Sequence, residues 1–196
     1  MIKPLTPLNV SEVADIHLKA LEGDFLPSLG FDFLKTFYSG IVGKKAVYSF
    51  GIFEEDKLQG FVIGTTDSKK FFSDAFKENI FKLIILLLFE LFKKPTLLKN
   101  ILETLLYPNK TSGPKAELVV IAIRKNFQGK GAGKSLVGIL EREFKLNGIK
   151  RYKLTVHADK GAVGFYEHLK YQRTSSFQLY GKMWYQYEKK LPQKYK

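Results

Sequence analysis

The sequence predicts a mixed α/β domain with a central sheet of about seven strands, flanked by helices and carrying an extra helical insertion around residues 69–110. Three observations carry that expectation. Short β-rich runs alternate with helical patterns along the chain. The run "ELVVIAI", Glu117 to Ile123, is continuously apolar and rich in β-branched residues, as a strand buried on both faces requires. A glycine loop, "NFQGKGAGKSLV" from Asn126 to Val137, follows that strand and runs into a helical pattern.

In chain order, "IKPLT" reads as a short strand. Asn9 is a good helix cap, with Glu12 at the capping-box position. Val10, Val13, Ile16, Leu18 and Leu21 then give a helical face up to Gly23. A second helix fits Phe31 to Val42, between Gly30 and Gly43. "AVYSFGIFEE" and "LQGFVIGTTD" form an antiparallel hairpin around Asp56-Lys57. "IFKLIILLLFELF", Ile80 to Phe92, is almost wholly apolar but holds Lys82 and Glu90 and ends at Lys93-Lys94-Pro95. It is shorter than the roughly 20 residues a membrane span needs. A helix whose apolar face packs on the protein is expected, in preference to a membrane contact. Thr96 to Leu106 reads as another helix, opened by Pro95. After the glycine loop, Leu136, Leu140 and Phe144 recur every fourth residue, and Asn147-Gly148 closes the helix. "RYKLTVHA" is a strand, "KGAVGFYEHL" a short helix, and "RTSSFQLY" and "MWYQYEKKL" are two final strands. No repeat or linker interrupts the chain, so residues 1–196 are expected to form a single domain.

Composition excludes several classes. There is no cysteine, which rules out a disulfide scaffold and thiol-ligated metal sites and fits a reducing compartment. Three scattered histidines, His17, His157 and His168, give no metal site. The start, "MIKPLTPLNV", lacks the basic-then-apolar order of a secretory signal, so a cytoplasmic location is expected. The net charge is +13, and from Arg124 to Lys153 nine basic residues stand against Glu141 and Glu143 alone. That excess surrounds the glycine loop and suits an anionic ligand, although plain solubility is the alternative.

Three phosphate-binding loops compete for this stretch. A Walker loop ends in Gly133-Lys134-Ser135, but its first glycine would fall at Gln128, and "KLTVHAD" is a poor magnesium-binding strand. A dinucleotide loop would need its third glycine at Lys134 or Leu136. The pattern Q/R-x-x-G-x-G/A fits Gln128-Gly129-Lys130-Gly131-Ala132-Gly133. Such a loop suits a pyrophosphate: glycines allow close approach, successive N–H groups converge, and the helix start carries partial positive charge.

Residues from about Lys115 to Lys190 resemble the GNAT superfamily of acyl-CoA-dependent N-acetyltransferases. Besides the loop, "DKGAVGFYEHLKYQ" resembles that superfamily's N-x-x-A-x-x-F-Y-E-x-x-G-F element, with Ala162, Phe165, Tyr166, Glu167 and Tyr171 in register. Asp159 stands where asparagine is usual, and Lys170 where a turn glycine is usual. The order of elements matches too, apart from the longer insertion. The resemblance implies a twisted mixed sheet of the GNAT type and acetyl-CoA as cofactor. It implies coenzyme contacts from Ile121, Ala122 and Ile123 on the strand, from Gln128, Gly129, Lys130, Gly131, Ala132, Gly133, Lys134 and Ser135 in the loop, and from Asp159, Ala162, Phe165 and Tyr166 downstream. The coenzyme would enter a gap between the strands Glu117–Ile123 and Arg151–His157.

Acyl transfer from a thioester to an amine needs a neutral amine, a stabilised carbonyl oxygen and a protonated or stabilised leaving thiolate. A backbone N–H near Ile121 to Ile123 suits the oxygen. By resemblance, Tyr166 assists the sulfur and Glu117 is the candidate base, with a chain of waters as the alternative. Thr155 occupies a position that is glutamate in some protein N-terminal acetylating members. His157, a lone histidine, reads as structural, and Asp24 as a loop carboxylate on the acceptor side. The acceptor implied is a primary amine, first of a small molecule such as an amino sugar or its nucleotide-linked form, second of a protein or peptide. No nucleic acid partner, no metal and no stable membrane insertion are expected, and a homodimer is left open. From another class, the charge and the Ile80–Phe92 run suit a basic module for nucleic acid or an anionic membrane surface. The interleaved aromatics Phe127, Phe144 and Tyr152 form no recognisable stacking platform for the former.

Overall fold

A computed structural model describes residues 1–44, 46–159 and 161–192. Its seven described strands make one sheet: Ile2–Pro4 (β1), Val47–Glu54 (β2), Lys57–Thr65 (β3), Glu117–Ile123 (β4), Arg151–His157 (β5), Gln172–Leu179 (β6) and Lys182–Lys190 (β7). The order is β1-β2-β3-β4-β5-β7-β6. Every neighbouring pair is antiparallel except β4 and β5, which are parallel. The β2–β3 hairpin turns on Glu55 and Asp56, both at positive φ, the geometry that suits the right-handed twist of the flanking strands.

Helices cover both faces. Val10–Ala20 (α1), Phe25–Ser28 (α2) and Gly30–Ser39 (α3) precede β2. Ala132–Leu146 (α7) and Ala162–His168 (α8) flank β5. Successive residues of β3 show why both layers form. Phe61 and Ile63 join a core with Val13, Ile16, Leu34 and Phe37 from α1 and α3. Val62, between them, joins Leu136, Leu140 and Phe144 from α7. Strand alternation thus feeds two cores from one strand. At Gly64 a Cβ would come within 2.6 Å of the Leu140 side chain, so α7 sits directly on the strand.

The insertion between β3 and β4 holds three helices, Ser68–Lys77 (α4), Ile80–Lys93 (α5) and Leu97–Lys110 (α6). Asp67 caps α4 by accepting from the Lys69 and Lys70 N–H groups. The middle of α6 is stitched to the β6–β7 turn: the Glu103 carboxylate accepts from the Tyr180 N–H, and Thr104 Oγ1 lies 2.9 Å from the Tyr180 hydroxyl.

Three sequence expectations need correction. The capping box at Asn9 and Glu12 is not made. The Asn9 side chain instead accepts from the Thr6 N–H and hydroxyl, and Glu12 accepts from the Leu58 N–H of β3. The second helix begins at Gly30 and ends at Ser39, because residues 41–43 form a turn closed by Gly43 at φ +80°. The largest departure is α5. Leu83 is buried and Leu86, Leu87 and Leu91 pack on the core, but Phe81, Ile84, Ile85, Leu88, Phe89 and Phe92 are exposed. Lys160, where the sequence reading started the helix now labelled α8, lies outside the described residues.

Candidate active site

The parallel pair β4–β5 is joined only at its beginning, where Glu117 faces Lys153. Beyond that point the strands part, while β3 continues to hold β4 up to Ile123 and β7 holds β5 along its whole length. The gap opens into a cavity of about 250 Å³. Val119, Val120 and Ile121 line it from β4, Thr155, Val156 and His157 from β5, and Ala162 and Tyr166 from α8. Asp24, Phe25 and Pro27 close it from the α1–α2 side, and Thr104 and Tyr107 from α6. Tyr180 and Trp184 complete the wall. The size is just below the range of about 300–1,000 Å³ usual for a ligand pocket.

Glu117 sits at the fork of the two strands and is 2% exposed. The Tyr107 hydroxyl donates to its Oε1 at 2.7 Å. Having spent its proton there, Tyr107 accepts from the Thr155 hydroxyl, 3.0 Å away. Glu117 Oε2 is buried, with the Lys153 ammonium 4.0 Å from it. Burial pushes the Glu117 carboxyl above the usual range, against the lowering effects of the Tyr107 hydrogen bond, of Lys153 and of a hydrogen bond from Ser68. Burial likewise lowers Lys153, while Glu117 and Glu188 pull it back up. The strand-end carboxylate is therefore an interior group, not a solvated one.

Tyr166 lies beneath the gap, packed edge-on against Phe165 and Tyr171. Burial raises its phenol well above the ordinary value, so it keeps its proton at neutral pH. His157 is 6% exposed, with its ring edge-on to Trp184. Among the described residues, both its ring nitrogens are buried without a hydrogen-bond partner. Buried polar atoms are rarely left so. The two nitrogens belong to the wall of the cavity, where a polar ligand would complete their bonding. His17, also in the wall, is paired with the Tyr38 hydroxyl and held neutral by burial, its pKa brought down to about 4.

The glycine loop leaves the end of β4 through a short 3₁₀ turn, Lys125–Phe127. The Gln128 amide donates back to the Ile123 carbonyl at 3.0 Å and fixes the loop to the strand. Gly129 and Gly131 both take φ +76°, a conformation that glycine adopts without steric cost. No atom of the described residues lies within 4 Å of where either would carry a Cβ, so the cradle is open. Gly131 caps α7 and has no side chain to satisfy the first-turn N–H groups of Ala132, Gly133 and Lys134. Together these features fit a pyrophosphate. Gly133 differs: its Cβ position is 3.1 Å from the Phe165 ring, so its smallness serves the packing of α8 against α7. Lys130 rests over the Phe127 ring, and the Ser135 hydroxyl donates to the Gly131 carbonyl. Arg124 is not a free loop charge. It donates to the Leu58 carbonyl and to Asp15 of α1, tying the helix to the sheet.

The structure thus gathers Glu117, Ile121, Ala162 and Tyr166 around one cavity and sets the loop at the end of the same strand. Asp159 is the outlier. Its side chain is 88% exposed, and its Oδ2 lies 3.9 Å from His157 Nε2. Lys170, in place of the usual turn glycine, is held at φ +66°. Sequence reasoning missed Tyr107, Thr104, Tyr180 and Trp184. A tyrosine near the end of an insertion helix carries no motif, and only the fold brings it to Glu117.

Residues 110–191 match the model of a family described as an acetyltransferase (GNAT) domain. No curated protein matches the chain. Among solved structures, the ribosomal-protein-S18-alanine N-acetyltransferase of Escherichia coli is similar with a TM-score of 0.63 at 16% identity, covering 97% of this chain and 93% of that one. An N-acetyltransferase from Staphylococcus aureus gives 0.63 at 12% identity, with 98% of both chains covered. The PaiA N-acetyltransferase of Thermoplasma acidophilum, solved with coenzyme A, gives 0.54 at 15% identity over 97% of this chain and 98% of that one. A parallel strand pair parted around a buried tyrosine and a glycine cradle at the strand's end thus lie within the region, residues 110–191, that matches the acetyltransferase (GNAT) domain, and the chain shares the fold of these solved acetyltransferases.

Proposed function

We propose that the protein transfers the acetyl group of acetyl-CoA to the primary amine of a small molecule, with the whole chain acting as one catalytic domain and α4–α6 walling its acceptor side. The observation that carries this reading is the pairing of Glu117 and Tyr166 on one cavity of about 250 Å³, enclosed on the insertion side by Thr104 and Tyr107. A cavity closed in this way suits a compact acceptor better than an extended chain. An amino sugar or its nucleotide-linked form is the first candidate, because the Tyr180 and Trp184 rings offer apolar faces to a sugar ring while Asp24, Glu117 and His157 offer polar contacts.

The coenzyme supplies the activated thioester. Gly129, Gly131 and the first N–H groups of α7 would hold its pyrophosphate, with Gln128, Lys130, Lys134 and Ser135 around them. The free edge of β4 at Ile121–Ile123 would hold the pantetheine arm and receive the negative charge that grows on the carbonyl oxygen. Glu117, ionised, takes the proton that the acceptor's ammonium must lose before its neutral amine attacks the thioester carbonyl. Tyr166, protonated, donates towards the departing sulfur.

The test is free-thiol release from acetyl-CoA over a panel of amino sugars, nucleotide-linked amino sugars, simple monoamines and peptides with free N-termini. Turnover with one of the small amines at kcat/KM well above the peptides supports the reading. Turnover with peptides alone would move the acceptor to proteins, and release from no amine would remove the function altogether.

A further inference from the structure

We propose that the outer faces of α5 and α6 dock on an anionic lipid surface, with both helices lying in the plane of the membrane interface. At 3.6 residues per turn, Phe81, Ile84, Ile85, Leu88, Phe89 and Phe92 fall on one stripe of α5. All six are exposed, Phe81 at 82% and Phe92 at 91%. Leu98, Leu102 and Leu106 form a second exposed stripe, one side chain per turn, along α6. Single exposed apolar residues are ordinary, but nine in two adjoining helices are a surface that needs cover.

Charge says what covers it. Between residues 68 and 110 eight lysines stand against four acidic residues. Each of the four is engaged: Asp74 with Lys77, Glu78 with Lys44, Glu90 with Lys93, and Glu103 with the Tyr180 N–H. Lys82 and Lys93 border the α5 stripe, and Lys94 and Lys99 flank the turn between the helices, all exposed. A second copy would bring these lysines against their equivalents, between chains that each carry +13. An anionic bilayer meets both features at once, accepting phenylalanine and leucine at the acyl boundary and lysine at the headgroups. No helix of the described residues is long and apolar enough to cross a membrane, which is consistent with lying in the interface. The docking face is the side of the insertion turned away from the core, so it involves none of the residues assigned to acetyl transfer. It stands or falls separately from that activity.

The test is flotation of the full chain with vesicles of phosphatidylcholine containing about 30 mol% phosphatidylglycerol, against phosphatidylcholine alone, at about 0.15 M salt. The protein should float with the anionic vesicles and stay behind with the neutral ones. Phe81→Ser/Phe89→Ser/Phe92→Ser and Lys82→Glu/Lys94→Glu/Lys99→Glu should each weaken binding by at least about tenfold. Unchanged melting temperature and acetyl-CoA affinity would show that both variants are folded. The proposal is overturned if the wild type ignores anionic vesicles. It is overturned equally if neutral vesicles bind as well, or if the phenylalanine variant binds undiminished, since general basic charge would then suffice. Sedimentation velocity closes the remaining route. A wild-type dimer that the phenylalanine variant dissolves, without vesicle binding, would assign the face to a second copy and end the lipid reading.

Discussion

Burial acts on Glu117 and Tyr166 in the same direction, with opposite consequences. Each is raised, because a low-dielectric site disfavours the charged form. For the carboxyl, that brings a weak base closer to working pH. For the phenol, proposed as the acid, it secures the proton that a departing thiolate would need. Tyr166→Phe is expected to lower kcat by about 10²–10⁴-fold with coenzyme affinity nearly constant, as the loss of an interaction that strengthens in the transition state requires. A drop below about tenfold in single-turnover rate would assign the ring to packing. Glu117→Gln should lose most rate at lower pH, where the amine is protonated, and less as the amine deprotonates unaided. Stability supplies an independent reading. A carboxyl raised on folding binds protons more tightly in the native state, so its contribution is complete below the ordinary carboxylate range and is lost as pH rises through the raised value. Urea midpoints of the wild type should fall across that window, and those of Glu117→Gln should fall less. The sequence identified this glutamate as a candidate base, but its depth was not legible, since a carboxylate opening an apolar strand reads equally well as solvated.

Helix α6 links the insertion to the chemistry. Its Tyr107 holds Glu117 Oε1 and lowers the carboxyl against the effect of burial. With Glu117 as the proposed base, Tyr107 would be a positioning residue, acting on the reaction through that carboxylate. Tyr107→Phe keeps the ring and removes the donor, so the ionised base loses support and its pKa rises further. The acid limb of the pH–rate profile should therefore move to higher pH, while acetyl-CoA affinity stays as it was. A purely structural tyrosine would lower the rate at every pH alike. The insertion was legible as helices, because Pro95, Lys93-Lys94 and the apolar run mark its boundaries. Its orientation was not. A segment apolar on nearly every side reads as buried, and nothing in "IFKLIILLLFELF" says that Leu83 faces the core while Phe81 faces out. By contrast α7 was legible down to its packing residues, since Leu136, Leu140 and Phe144 have no second face to offer.

At the scale of the whole molecule, the sheet is continuous except where β4 and β5 part, and the coenzyme is expected to bridge that opening. Ligand that binds only the native state stabilises it by about 2.7 kcal/mol at a hundred times its Kd. For a chain of this length each kcal/mol is worth about 2–4 °C in melting temperature, so saturating acetyl-CoA should raise Tm by about 5–10 °C. Gly131→Val separates the loop's part from the rest. A β-branched residue at φ +76° is strained whatever surrounds it, so the variant's own Tm should fall. The ligand-induced rise is a separate quantity. If Gly131 forms the pyrophosphate cradle, a side chain there blocks close approach, and affinity should drop by at least about tenfold, or about 1.4 kcal/mol. At the same coenzyme concentration the rise should then shrink to about half. A variant that melts earlier yet gains as many degrees from acetyl-CoA as the wild type would keep the strain and remove the cradle. The pyrophosphate would then have to be held elsewhere along the basic stretch from Arg124 to Lys153.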